Sequence, residues 1–101
     1  MRVMLTVKLP VESFNTAVRL GNAGKIISKI MDKMKPESAY FTEINGSRGG
    51  YFVINVDNPS QIPVYAEPWF LNFNAECHFQ IVMTPEDLKN SGIDDIGKKW
   101  G

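Results

Sequence analysis

The chain has 101 residues, 44% of them apolar, enough for one hydrophobic core and short for two. Eleven Lys and Arg balance eleven Asp and Glu, so no net field draws the protein toward phosphate backbones or anionic lipid. No stretch approaches the roughly 18 apolar residues of a bilayer span, and the lone Cys77 excludes an intrachain disulfide. A cytoplasmic protein with neither membrane nor nucleic-acid partner is expected.

In chain order, the first element alternates Val3, Leu5, Val7 with Met4, Thr6, Lys8, which predicts a strand and not a signal peptide. Pro10 then opens a helical region that runs to the breaker Pro36. Ala17, Leu20, Gly24, Ile27, Met31 and Met34 recur at spacings of three and four, one continuous apolar stripe on a single helix. Ala39 to Ile44 and Tyr51 to Val56, joined through Asn45, Gly46 and Ser47, read as a hairpin. Gln61 to Phe73 is helical in pieces, with Pro63 and Pro68 as breaks. Cys77 to Met83 predicts a fourth strand. Thr84-Pro85-Glu86-Asp87 supplies a cap, a first-turn proline and first-turn acids for a short helix, after which Ile93, Ile96 and Trp100 keep a helical spacing. The order is strand, helix, strand, strand, helix, strand: an α+β, ferredoxin-like βαββαβ antiparallel sheet with helices on one face. One domain spans 1–101, with 1–84 as the core fold and 85–101 as a C-terminal helical extension.

Alternation sorts the strand residues onto two faces. Val3, Leu5, Val7, Phe52, Ile54, Val56, Cys77, Phe79, Ile81 and Met83, with Ala39 and Phe41, form the apolar set expected beneath the helices. The opposite face collects Met4, Thr6, Lys8, Tyr40, Thr42, Tyr51, Val53, Asn55, Glu76, His78, Gln80 and Val82. That mixture is too apolar for plain solvated surface and too polar for a dry core. It suits a dimer interface enclosing a partly polar pocket.

Two segments imitate nucleic-acid motifs. Arg48-Gly49-Gly50-Tyr51-Phe52-Val53-Ile54-Asn55-Val56 has the basic start of an RRM aromatic strand, but the three stacking positions hold Gly50, Phe52 and Asn55, and Phe52 lies in the apolar register. Leu20-Gly21-Asn22-Ala23-Gly24-Lys25 resembles the GXXG loop of KH domains, which clamps backbone phosphates between two helices. The continuous stripe and the single adjacent cation, Lys25, leave KH-like binding through Gly21 to Gly24 as a remote alternative.

A broader likeness covers most of the chain. Lys8-Leu9-Pro10-Val11, Pro36-Glu37-Ser38-Ala39-Tyr40-Phe41-Thr42-Glu43, Pro59-Ser60-Gln61-Ile62-Pro63, Ala66-Glu67-Pro68-Trp69-Phe70-Leu71-Asn72-Phe73-Asn74-Ala75 and Val82-Met83-Thr84-Pro85-Glu86-Asp87-Leu88 resemble a small family of bacterial proteins of unknown function, near the dimeric α/β-barrel superfamily. The resemblance implies a homodimer whose sheets pack face to face around a cavity lined by the helix-free face. Members of that superfamily include cofactor-independent monooxygenases and isomerases, so the fold alone chooses no chemistry, and none of their catalytic motifs maps residue by residue onto this chain.

His78, the only histidine, is the candidate catalytic residue, since an imidazole can move protons near neutrality; the plainer reading is a hydrogen-bonded interface histidine. Tyr40, Tyr51, Asn55 and Gln80 are candidate substrate contacts as polar anchors in an apolar pocket, or else cross-strand pairs that stabilise the sheet. Trp69 is a further candidate contact, with a core or interface place as its plain alternative. No metal-ligand spacing and no cofactor motif is present. The expected protein is a homodimer acting as a small-molecule binding protein or cofactor-independent enzyme; the alternative is a structural or regulatory dimerisation module without catalysis.

Overall fold

The computed structural model describes residues 1–101. Its strands are β1 (Arg2–Lys8), β2 (Ser38–Ile44), β3 (Ser47–Asn55) and β4 (Glu76–Ile81), and its helices α1 (Val11–Leu20), α2 (Ala23–Met34), α3 (Ile62–Phe73), α4 (Pro85–Asn90) and α5 (Ile93–Trp100). One antiparallel sheet has the order β2-β3-β1-β4, so the fold is α+β. No helix is long and apolar enough to cross a membrane.

Strict alternation in the two central strands explains the core. Val3, Leu5 and Val7 of β1, Phe52 and Ile54 of β3, and Val56 just beyond it are all nearly inaccessible. They meet Phe14 and Ala17 of α1, Ala23, Ile30 and Met34 of α2, and Trp69 and Phe73 of α3. The hairpin is set by Asn45 and Gly46, both at positive φ (49° and 84°), the left-handed pair that a two-residue turn with the twist of its strands requires. Residues Arg48 to Val56 run through the middle of this packing, so Phe52 faces the helices and not an exposed RNA-stacking surface.

Four expectations need correction. The single helix from Pro10 to Pro36 is two helices: Gly21 ends α1 in the left-handed conformation (φ 76°), its N–H donating back to Val18 O at 3.0 Å, and Asn22 precedes α2. The proposed stripe therefore breaks. Leu20 and Gly24 are exposed, while Phe14, Ala17, Ala23, Ile30 and Met34 are buried. Second, the prolines do not fragment α3. Pro63 lies in the first turn, where the missing N–H has no partner to lose, and Pro68 removes the partner of the Val64 carbonyl at a residue 62% exposed, which solvent can reach. Third, β4 stops at Ile81, and both Ile81 and Met83 are exposed. Fourth, Ala39 and Phe41 hold the helix-side register but lie on an edge strand that the helices cover incompletely, leaving Phe41 about half exposed.

Gly50 shows how tightly the centre is built. A Cβ there would stand 2.7 Å from Phe52 Cζ and 3.0 Å from Tyr40 O. The Phe52 ring cannot swing away, because Trp69 stacks on it (centroids 5.3 Å apart) and Phe41 meets it edge-on (5.5 Å). Overpacking of this kind costs about 1–3 kcal/mol. Gly50→Ala is therefore expected to lower the unfolding free energy in urea by that amount, whereas Gly97→Ala, whose Cβ meets nothing within 4 Å, should be neutral or mildly stabilising; equal urea midpoints for Gly50→Ala and the parent chain would refute the account.

The expected cap is present at α4: Thr84 Oγ1 accepts from Asp87 N at 3.0 Å, and Thr84 N donates to Asp87 Oδ2 at 2.9 Å. The Thr84 backbone N–H, seconded by the Thr84 side chain, holds the Asp87 carboxyl below its ordinary 3.8. A depressed carboxyl stabilises the fold above its unfolded value and ceases to as pH falls through the folded one. The protection factor of the Thr84 amide, its exchange measured by NMR against the intrinsic rate of an unstructured amide at the same pH, should hold from neutral pH until below 3.8 and then fall as Asp87 is protonated.

Candidate functional site

Strand register brings the polar residues of the helix-free face into rows. Tyr40 lies opposite Tyr51, Tyr51 opposite Thr6, and Thr6 opposite His78. These four side chains form one line across all four strands, about 14 Å long at the usual inter-strand spacing. On one side runs Ser38, Val53, Met4 and Gln80; on the other Thr42, Gly49, Lys8 and Glu76. A hydroxyl-rich line ending in an imidazole is thus flanked by an apolar pair, Val53 and Met4, and by a charged pair, Lys8 and Glu76.

His78 ends the line on edge strand β4. Its Nε2 stands 3.5 Å from Glu76 Oε2, with both side chains more than half exposed, so protonating the imidazole completes an ion pair on the surface. Gly49 is required in its row, since a Cβ there would approach Val7 O to 2.5 Å and Ile44 Cδ1 to 2.6 Å. The Ile44 side chain fills the space that a side chain there would take, and Gly49 is buried between Thr42 and Lys8. No group of three or more His, Cys, Asp and Glu side chains is placed to hold a metal ion.

The candidates named from sequence divide into three. Tyr40, Tyr51 and His78 share the line, and Gln80 sits in the next row beside His78. Asn55 is on the same face but lies opposite Arg2 at the far end of β3; its Oδ1 accepts from the Met1 amino group at 2.8 Å and its carbonyl from Tyr65 Oη at 3.0 Å. Trp69 lies on the other side of the sheet, fully buried between Phe52 and Phe73, so the structure does not bring it to this face. Thr6, not chosen from sequence, occupies the centre of the line; alternation placed it on the face, and only the pairing of β1 with both neighbours aligns it. Arg48, the basic start of the RRM-like strand, donates to Asn15 Oδ1 at 2.8 Å and lies 5.1 Å over the Phe14 ring, tying β3 to α1.

Concavities of the single chain lie elsewhere, one of about 400 Å³ between Glu12, Ser13 and Thr16 of α1 and Asn72 and Asn74. A groove of about 340 Å³ separates α2 from α3, and a polar recess of about 430 Å³ lies among Met1, Arg2, Glu37, Asn55 and Asp87, where Arg2 and Glu37 pair at 2.9 Å. None is lined by Tyr40, Tyr51, Thr6 or His78. The helix-free face is an open sheet surface, and only a covering layer makes it a pocket. No protein-family model matches the chain, and a search of curated proteins finds no match.

Cys77 faces away from the line, half-buried against the core beside Phe79. Burial pushes its thiol up to about 11 from 9.0, which makes the reactive thiolate about 100-fold rarer at neutral pH than in a free thiol. Labelling by a disulfide reagent at neutral pH is expected to be slower by that order in the folded chain than in urea. Equal rates would show that the thiol is not held in the core.

Proposed function

We propose that the chain is a ferredoxin-like domain of the dimeric α/β-barrel type, pairing as a homodimer through its helix-free sheet face and enclosing there a site for a small, partly aromatic or carbonyl molecule. The observation that carries this reading is the unbroken line Tyr40, Tyr51, Thr6, His78, laid across a face that also presents Met4 and Val53. The strand order β2-β3-β1-β4, with long helical connections after β1 and β3, supports the ferredoxin-like arrangement.

The chemistry follows from the side chains. Two phenols and a threonine hydroxyl can each donate or accept, so they can orient a polar group at several points. Met4 and Val53 offer an apolar bed for a ring. His78 supplies the one imidazole, at the end of the line, where a bound molecule's acidic hydrogen or carbonyl would be met by a group able to take or give a proton. A second sheet laid about 10 Å away would exclude water and strengthen each of these contacts.

The test begins with solution mass by light scattering across micromolar concentrations. A dimer is expected, and Val53→Lys, which sets two like charges into the proposed interface, should shift it toward monomer by at least tenfold in dissociation constant. With 4-hydroxybenzoate as probe, NMR shifts should gather at Thr6, Tyr51 and His78, and His78→Ala should weaken binding while the dimer persists. A dimer that falls apart in His78→Ala, or that binds no ring-containing probe, assigns the face to assembly alone.

One observation favours a second reading. Gly21 and Asn22 join two helices, with Ala23 and Gly24 opening α2, so the single-helix argument against KH-like phosphate clamping no longer stands. Against it, Ala23 is buried, and Lys25 is the only basic residue following the turn before Lys29. A persistent monomer whose Gly21 to Lys25 amides shift on adding a single-stranded RNA would replace the dimer reading with this one.

A further inference from the structure

The C-terminal helices leave the body of the protein. The radius of gyration is 16.9 Å and the longest dimension 59 Å, against about 13 Å for a compact chain of 100 residues. α5 carries Ile93, Ile96 and Trp100 on one stripe, exposed by 53%, 47% and 87%. Eight residues are far too few for a helix to persist alone in water. This one needs a surface.

The groove between α2 and α3 has matching features. Ile26, Ile30, Pro68 and Leu71 give it apolar lining, Leu71 being 80% exposed; Lys29 and Lys33 stand on its α2 side and Glu67 on its α3 side. Neither lysine pairs with an acid of its own chain. On α5, at 100° per residue, Asp94 falls on one flank of the apolar stripe and Lys99 on the other. A helix laid stripe-down in the groove, in the one of its two directions that turns the Asp94 flank to α2, sets Asp94 on the side of Lys29 and Lys33 and Lys99 on that of Glu67.

Its own groove is poorly placed to receive it. Val82 N donates to Arg2 O at 3.2 Å, and the reciprocal Thr84–Asp87 cap fixes the start of α4 directly after. The exit from β4 is therefore set, and it directs α4 and α5 beyond the sheet end at which β1 begins. Docking at home would require the chain to turn back over the helical layer within Ser91 and Gly92, the two residues between α4 and α5.

We propose that α5 of one copy docks in the α2–α3 groove of a second copy, reciprocally, through Ile93, Ile96 and Trp100 and the Asp94 to Lys29/Lys33 pairing. The contact lies on the helical layer, so it goes beyond the sheet-face dimer and does not depend on it.

Full-length chain labelled with ¹⁵N, carrying no spin label, is mixed with unlabelled full-length chain bearing a nitroxide at Gly101→Cys in a Cys77→Ala background. Amide signals of Ile26, Lys29, Lys33 and Leu71 are expected to lose more than half their intensity in the mixed sample. The double variant Lys29→Glu/Lys33→Glu in the ¹⁵N chain should abolish the loss, and Asp94→Lys in the spin-labelled chain should restore it. Broadening that occurs only when both labels share one chain, broadening absent from the groove, or broadening indifferent to charge reversal would each overturn the proposal. Sheet pairing is scored in the same spectra by dilution shifts of Thr6, Tyr51 and His78, so failure of one contact is distinguishable from failure of the other.

Discussion

The packing of Phe52 against Gly50 is the constraint on which the rest of the sheet rests. Because residue 50 has no side chain, the Phe52 ring occupies its space and presents a face to Trp69. Trp69 in turn leans on Phe73, and Phe73 on Phe14 (centroids 6.2 and 5.0 Å apart). One aromatic column thus links the central strand to α3 and α1. Trp69 contributes despite a cost, since its indole Nε1 is buried without an acceptor. An unsatisfied donor costs about 1–3 kcal/mol, while truncating a buried Trp or Phe costs about 3–5 kcal/mol, so packing outweighs the lost hydrogen bond.

That column draws the helices to one side, and the other side of the sheet follows from it. With the apolar register of β1 and β3 committed to the helical layer, alternation sends every intervening residue to the open face. Cross-strand pairs there are each worth about 0.2–1 kcal/mol, small beside the column. The line of Tyr40, Tyr51, Thr6 and His78 therefore contributes little to folding, and its composition is free to serve recognition. The same separation explains why Arg48 is not part of any site: its bonds to Asn15 and Phe14 belong to the helical side.

How much of this was legible follows from what each signal measures. Alternation reports burial, and it identified the buried set of β1 and β3 residue by residue. Turn chemistry reports backbone dihedrals, so Asn45, Gly46 and Ser47 marked the hairpin, but only the structure shows the turn to be the two residues Asn45 and Gly46, which is what sets Tyr40 opposite Tyr51. The pairing of Thr6 with His78 was not available, because nearly seventy residues separate β1 from β4 and no local feature fixes their register. Apolar spacing misled at Gly21: the rhythm of threes and fours through Leu20 and Gly24 survives a break because it records apolar residues, not chain continuity. The neglected signal was Gly followed by Asn, a left-handed stop next to a residue suited to start a helix. Trp69 shows the same limit from the site's side. Residue type made it a candidate beside His78, but alternation already set His78 on the open face, whereas only the tertiary fold put Trp69 in the core.

Two surfaces of the chain lack a covering layer, the open sheet face and the apolar stripe of α5, and symmetry limits how copies can cover both. A sheet face pairing with itself is isologous and closes at two copies. A helix entering another copy's groove is heterologous by itself, and closes only if the groove's owner returns its own helix. When one two-fold axis serves both contacts the assembly is a finite dimer, with the arms holding the sheets together and raising the effective concentration of each contact for the other. When the contacts choose different partners, every copy joins two others, and the assembly closes where the two axes meet at right angles, as in a tetramer of D2 symmetry, and otherwise grows without limit. A chain whose eleven positive charges match its eleven negative ones has little net repulsion to oppose such growth, so a discrete assembly through both contacts requires either a shared axis or axes that close.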